Sequence, residues 1–107
     1  MDLEKLKKRL SAYKKEDIIF TTHTKIRALA RNMNLEEVRN NIINPEKLVF
    51  YREQKAENVD EEKYECYFAY SENHCHEYVL VLNRKIIIVT IIDINRNWQK
   101  IIQGLKK

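Results

Sequence analysis

Two hydrophobic periods share this chain, one helical and one strand-like, and the change comes at Pro45. In the first part Leu3, Leu6, Leu10 and Tyr13 recur at helical spacing, which predicts an amphipathic helix over residues 2–15. Its apolar stripe is narrow and ringed by five lysines and Arg9, so the helix is expected on the domain surface, its charges a solvated face rather than a nucleic-acid arm. Lys14–Asp17 breaks the pattern. Ile18-Ile19-Phe20 is a short apolar run, either an edge strand or an extended lead into a helix N-cap near Thr21. In the helix that follows, Ile26, Leu29, Ala30 and Met33 fall at i, i+3, i+4 and i+7 and are expected as its buried stripe. A third helix begins where Asn34 can cap and Glu37 can reach back to complete a capping box. Leu35, Val38 and Ile42 form its inner face, and Asn44-Pro45 ends it because a residue before proline is pushed out of the helical region.

Beyond Pro45 the period is two. Leu48–Glu53, Tyr64–Tyr70, Glu77–Leu82 and Lys85–Ile92 read as strands, with a charged loop at Gln54–Glu62, a turn at Ser71–His76 and a tight connection at Asn83-Arg84. Tyr64, Cys66, Phe68 and Tyr70 share one face of their strand, and Glu65, Tyr67 and Ala69 the other. With no glycine in these turns, Asn73 and Asn83 are the residues expected to take positive φ. The continuous run Ile86–Ile92 belongs inside a sheet or on one covered on both faces, so the second face calls for the C-terminal segment or a partner. Residues 93–107 form a last helix through Trp98, Ile101, Ile102 and Leu105, or a tail. The prediction is one α+β domain over residues 1–107: two or three N-terminal helices packed on a four-stranded antiparallel meander sheet.

Composition adds polarity. The net charge is +4, but residues 1–40 hold ten basic and six acidic side chains, whereas 53–77 hold two and eight. A basic face suits phosphate backbones, and an acidic patch repels them or docks a basic partner. The longest apolar run is interrupted by Thr90 and far below the roughly 20 residues of a membrane span. A start charged from its second residue and two cysteines without an export signal suggest reduced thiols in a cytoplasm. One glycine, one proline and abundant Ile, Lys, Glu and Asn suggest a compact protein of a heat-loving organism.

On the second helix His23, Arg27 and Arg31 repeat every four residues and form a polar row beside the apolar one. The chain around it reads apolar residue, Thr-Thr-His, a helix with two arginines, Asn-Leu-Glu-Glu-Val, then Ile-x-Asn-Pro-Glu, followed by the strands. This order resembles the RelE-like toxin superfamily, in particular its BrnT-like branch and uncharacterised relatives. The likeness covers about Ile18 to Ile92 and is specific at His23, Arg27, Glu36-Glu37-Val38 and Asn44-Pro45-Glu46. The family's glycine between the two helices is replaced here by Asn32–Asn34, and the N-terminal helix and the His74-Cys75-His76 segment are additions.

The resemblance implies an endoribonuclease of a toxin–antitoxin pair. Metal-independent RNA cleavage needs a group to deprotonate the 2′-hydroxyl, cations for the phosphate and an acid for the leaving oxygen. His23 suits the acid or base role, and Arg27 and Arg31 suit bidentate phosphate binding. The competing reading keeps His23 in local bonding and the arginines in pairs with Glu36, Glu37 or the acidic patch. Tyr51, Arg52, Arg84 and Arg96 are candidates for base stacking and charge in RNA binding. Cys66, His74, Cys75 and His76 miss the usual zinc spacing, and although His74 and His76 point the same way on an extended turn, Cys75 points oppositely. The segment therefore reads as a polar turn over a buried Cys66, with no metal or other cofactor called for. Expected partners are RNA and an antitoxin protein. The alternative is a non-enzymatic interaction module, a homodimer joined through its sheet.

Overall fold

The computed structural model describes residues 1–106. Helix α1 (Leu3–Ser11) leads through a 3-10 turn into strand β1 (Ile18–Phe20). Helices α2 (Thr22–Ala30) and α3 (Leu35–Ile43) follow, and a 3-10 turn at Pro45–Lys47 delivers the chain to β2 (Leu48–Gln54), β3 (Glu62–Ser71), β4 (His74–Leu82) and β5 (Ile86–Ile94). Helix α4 (Trp98–Leu105) completes the described chain. The fold is α+β.

The expected four-stranded antiparallel sheet is five-stranded and mixed, in the order β1-β5-β4-β3-β2. Strands β2 to β5 form the antiparallel meander, and β1 pairs parallel with β5 through Ile18–Ile86, Ile19–Ile87 and Phe20–Ile88. The run Ile18-Ile19-Phe20 resolves as the edge strand. It places Ile86–Ile88, the start of the β-rich Ile86–Ile92 segment, between two neighbours, and beyond Phe20 the same edge of β5 is met by helix α2, whose Arg31 bonds the Ile91 carbonyl.

One sheet face carries α1, α2 and α3. Leu6 and Leu10 of α1, Val38 and Ile42 of α3, and Tyr64, Phe68, Leu80 and Ile88 of the sheet are shielded from solvent within one core. Helix α1 is shorter than expected but lies on the domain surface as expected, its narrow stripe anchored by Leu6 and Leu10 in this core and its charged side facing solvent. The other face is closed in part by α4, where Ile102 meets Tyr67, Cys75 and Ile94. This is the C-terminal covering that the apolar β5 run demands.

The helix ends are set by side chains. Asp2, Thr21, Asn34 and Asn97 each accept backbone N–H groups as N-caps, a contribution of about 1 kcal/mol apiece. Glu37 does not close a capping box with Asn34; its carboxylate instead accepts the Tyr70 hydroxyl. Positive φ falls at neither Asn73 nor Asn83. Among the described residues only Asn32 adopts it (φ 56°), at the junction where α2 ends and the chain reverses toward α3.

Candidate functional site

Helix α2 lies on β5, and its contact face differs from the expected one. Thr24 and Ala28 are its buried residues, whereas Ile26 and Leu29 are 61% and 85% exposed. Small side chains let the helix approach the strand closely. The Thr24 hydroxyl donates to the Ile88 carbonyl at 3.0 Å and meets the Thr21 hydroxyl at 2.8 Å, while Thr21 N–H also donates to Ile88. These bonds fix the rotation of α2, and hydrophobic spacing alone cannot register a contact made by a hydroxyl and a methyl.

The row His23, Arg27, Arg31 borders this buried stripe on its other flank. His23 and Arg27 are together: Arg27 Nε–H donates to His23 Nε2 at 3.0 Å, which puts the ring's own proton on Nδ1. Arg31 Nη1 donates to the Ile91 carbonyl of β5 at 3.1 Å, so the third member is tied to the sheet. No carboxylate pairs with any of the three among the described residues. The helix face thus presents one imidazole and two guanidiniums with no carboxylate partner among the described residues, the donor set that bidentate anion binding uses.

The other sequence candidates sit apart from the row. Tyr51 and Arg52 are neighbours on β2 and face opposite sides of the sheet. Tyr51 packs edge-on against Tyr64 at 5.8 Å and donates to the Met1 carbonyl; burial raises its pKa. Arg52 makes a forked pair with Glu65 (2.9 and 3.3 Å), a carboxylate only 6% exposed that also accepts from Gln54 and Tyr67. Strand β2 is three strands from β5, roughly 14 Å across the sheet. Arg84 lies in the turn before β5, at the opposite end of that strand from Ile91, and Arg96 is exposed just after it.

A second polar cluster was only half visible in the sequence. Strand β4 starts at His74, so the expected turn Ser71–His76 shrinks to Glu72-Asn73 and both histidines belong to the ladder. As expected, they share a face, while Cys75 turns to the α4 side and Cys66 to the main core. Opposite His76 stands Asp93 of β5. Its Oδ1 lies 2.8 Å from His74 Nε2 and 3.6 Å from His76 Nε2. His76 Nδ1 meets the Tyr78 hydroxyl at 2.6 Å, Asn41 Nδ2 donates to Tyr78 (2.9 Å) and Tyr70 (2.7 Å), and Tyr70 donates to Glu37. Tyr70 stacks on the His74 ring at 4.9 Å. Burial holds the His76 pKa below the ordinary histidine value and pushes the Tyr70 hydroxyl up to about 12.

Asp93 comes to the histidines through a β-bulge. From Leu82–Ile86 to Leu80–Ile88 the β4–β5 ladder is regular, and an unbroken continuation would set Ile92 opposite His76 with Asp93 on the far face. Val89 is the extra residue; beyond it Val79 pairs with Thr90 and His76 with Asp93. The His-x-His spacing was a signal in the sequence, but its acidic partner depended on a bulge that no turn residue announces. The two imidazoles and the carboxylate are the described groups whose donor atoms converge as metal ligands would.

Comparison with protein-family models, with curated proteins and with solved structures finds no match to this chain.

Proposed function

We propose that this chain is a toxin-like endoribonuclease of RelE/BrnT-like architecture, acting on RNA through the α2 row and held in check by an antitoxin protein. The observation that carries the reading is the Arg27–His23 bond beside Arg31, a row with exposed ends and a half-buried centre that lacks a carboxylate partner among the described residues. The element sequence supports it too: a short strand, an arginine-bearing helix, the Glu36-Glu37-Val38 helix, the Asn44-Pro45-Glu46 turn and an antiparallel meander follow in the order the resemblance implies.

The chemistry follows from the groups. A backbone phosphate draws the Arg27 guanidinium to its oxygens, and Arg31 adds a second fork. That movement releases His23 Nε2, the atom Arg27 otherwise occupies, so phosphate binding and exposure of the base are coupled. Nε2 then takes the proton of the 2′-hydroxyl. The 2′-oxygen attacks the adjacent phosphorus while the bond to the 5′-oxygen breaks, leaving a 2′,3′-cyclic phosphate and a 5′-hydroxyl that takes its proton from solvent. The two guanidiniums stabilise the charge that develops on the phosphoryl oxygens.

Expression in a bacterial host tests this reading. Induction of the wild type slows growth, and His23→Ala or Arg27→Ala relieves the effect at equal soluble yield. Equal growth with all three contradicts it. The second reading, a non-enzymatic interaction module, draws on the exposed Ile26 and Leu29 on the outer side of the same helix. It is favoured if the wild type sediments as a dimer, Leu29→Lys sediments as a monomer and the row variants leave growth unchanged; a dimer that survives Leu29→Lys points instead to joining through the sheet.

A further inference from the structure

We infer that His74, His76 and Asp93 form a site for one divalent transition-metal ion of the zinc class, with a fourth coordination position left to solvent. Their ligand atoms lie within 4.8 Å of one another, and they come from the starts and ends of two adjacent, hydrogen-bonded strands. In a tetrahedral zinc site with bonds of about 2.1 Å, neighbouring ligand atoms stand roughly 3.4 Å apart. The two distances to Asp93 Oδ1, 2.8 and 3.6 Å, straddle that spacing. Side-chain rotations of His74, His76 and Asp93 bring the three ligand atoms to that common spacing.

Three further features fit this assignment. The Val89 bulge brings the carboxylate onto the face of the histidines, and bulges characteristically re-aim a side chain in this way. The far nitrogen of His76 is fixed by the Tyr78 hydroxyl, which Asn41 also holds. With the metal on Nε2, the ring proton sits on Nδ1 and is donated to Tyr78, the outer-shell support that ligating imidazoles commonly have. Exposure is graded, with His76 buried as the floor and the side chains of His74 and Asp93 38% and 28% exposed, so an ion can enter from solvent. Two imidazoles with one carboxylate select zinc, cobalt, nickel or ferrous ions over magnesium and calcium, which favour all-oxygen shells.

The site stands apart from the nuclease reading, and its test does not use RNA. Chelator-stripped protein is titrated with Co²⁺ and followed by its visible d–d absorption; Zn²⁺ is then added as competitor. The inference predicts saturation at one Co²⁺ per chain, displacement by Zn²⁺, and at least a tenfold loss of affinity in both Asp93→Ala and His74→Ala, with no change in His23→Ala. His74 is half-exposed, so His74→Ala tests the ligand set even if Asp93→Ala fails to fold, as circular dichroism would show. Absence of saturable Co²⁺ absorption, affinity unchanged in a folded His74→Ala variant, or loss of binding in His23→Ala overturns it.

Discussion

The rotation of α2 decides which flank of the helix the His23–Arg27–Arg31 row occupies, and it can be tested by exchanging which residues matter. With Leu29 85% exposed, Leu29→Ala alters stability by no more than about 0.5 kcal/mol. If Leu29 instead belonged to the buried stripe, the same change would cost about 2–5 kcal/mol. Thr24→Val keeps the volume but removes hydroxyl bonds to Ile88 and Thr21 at a buried position, a loss of about 2 kcal/mol at roughly 1 kcal/mol per bond. Ala28 is only 3% exposed on the face that packs on β5, so Ala28→Leu adds bulk at a buried contact and costs about 1–3 kcal/mol in overpacking. Urea unfolding of the three variants measures these values from the midpoint at constant m. In thermal unfolding each kcal/mol corresponds to roughly 4–8 °C in Tm for a domain of this size. The reasoning fails if Leu29→Ala is the most destabilising of the three, or if Ala28→Leu and Thr24→Val leave the midpoint unmoved.

Other outcomes follow from the same contacts. Asn41→Ala strips one donor from each of Tyr70 and Tyr78 and opens a small cavity, costing about 2–3 kcal/mol; an unchanged Tm would contradict the network. Burial raises the pKa of both thiols, Cys75 to about 12, so neither Cys66 nor Cys75 reacts with a disulfide reagent until urea unfolds the chain. Rapid labelling of either in the native protein would refute this. Burial and then the nearby Glu65 raise the Glu77 pKa above the ordinary 4.5, so the folded state holds that proton more tightly than the unfolded chain. Its contribution is therefore full below about pH 4.5 and lost as pH rises through the folded value. Glu77→Gln should raise Tm at pH 7, with the gain vanishing on acidification below 4.5.

Much of the fold was legible because its signals are local. Asn34 as a cap, Pro45 as a stop and the alternation of Tyr64, Cys66, Phe68 and Tyr70 each depend on a few adjacent residues, and each reads directly into α3, the 3-10 turn and β3. Non-local relations were less visible. Phe20 pairs with Ile88 across 68 residues, so β1 could be suspected but its parallel place beside β5 could not. The α2 stripe misled because Ile26, Leu29 and Ala30 have the right period but are exposed, whereas the contact is made by Thr24 and Ala28; of the expected stripe only Met33, just past the helix, packs on the core. The candidate sites divide in the same way. The spacing of His23, Arg27 and Arg31 is helical and local; the union of His74 and His76 with Asp93 waits on a bulge at Val89.

The most direct test of the central proposal is cleavage of a mixed RNA pool by purified protein at low salt with a chelator present, comparing wild type with His23→Ala. The account predicts that the wild type leaves fragments ending in 2′,3′-cyclic phosphate and that His23→Ala leaves the pool intact. Equal cleavage by both proteins, or intact RNA with both, would contradict a nuclease built on the α2 row.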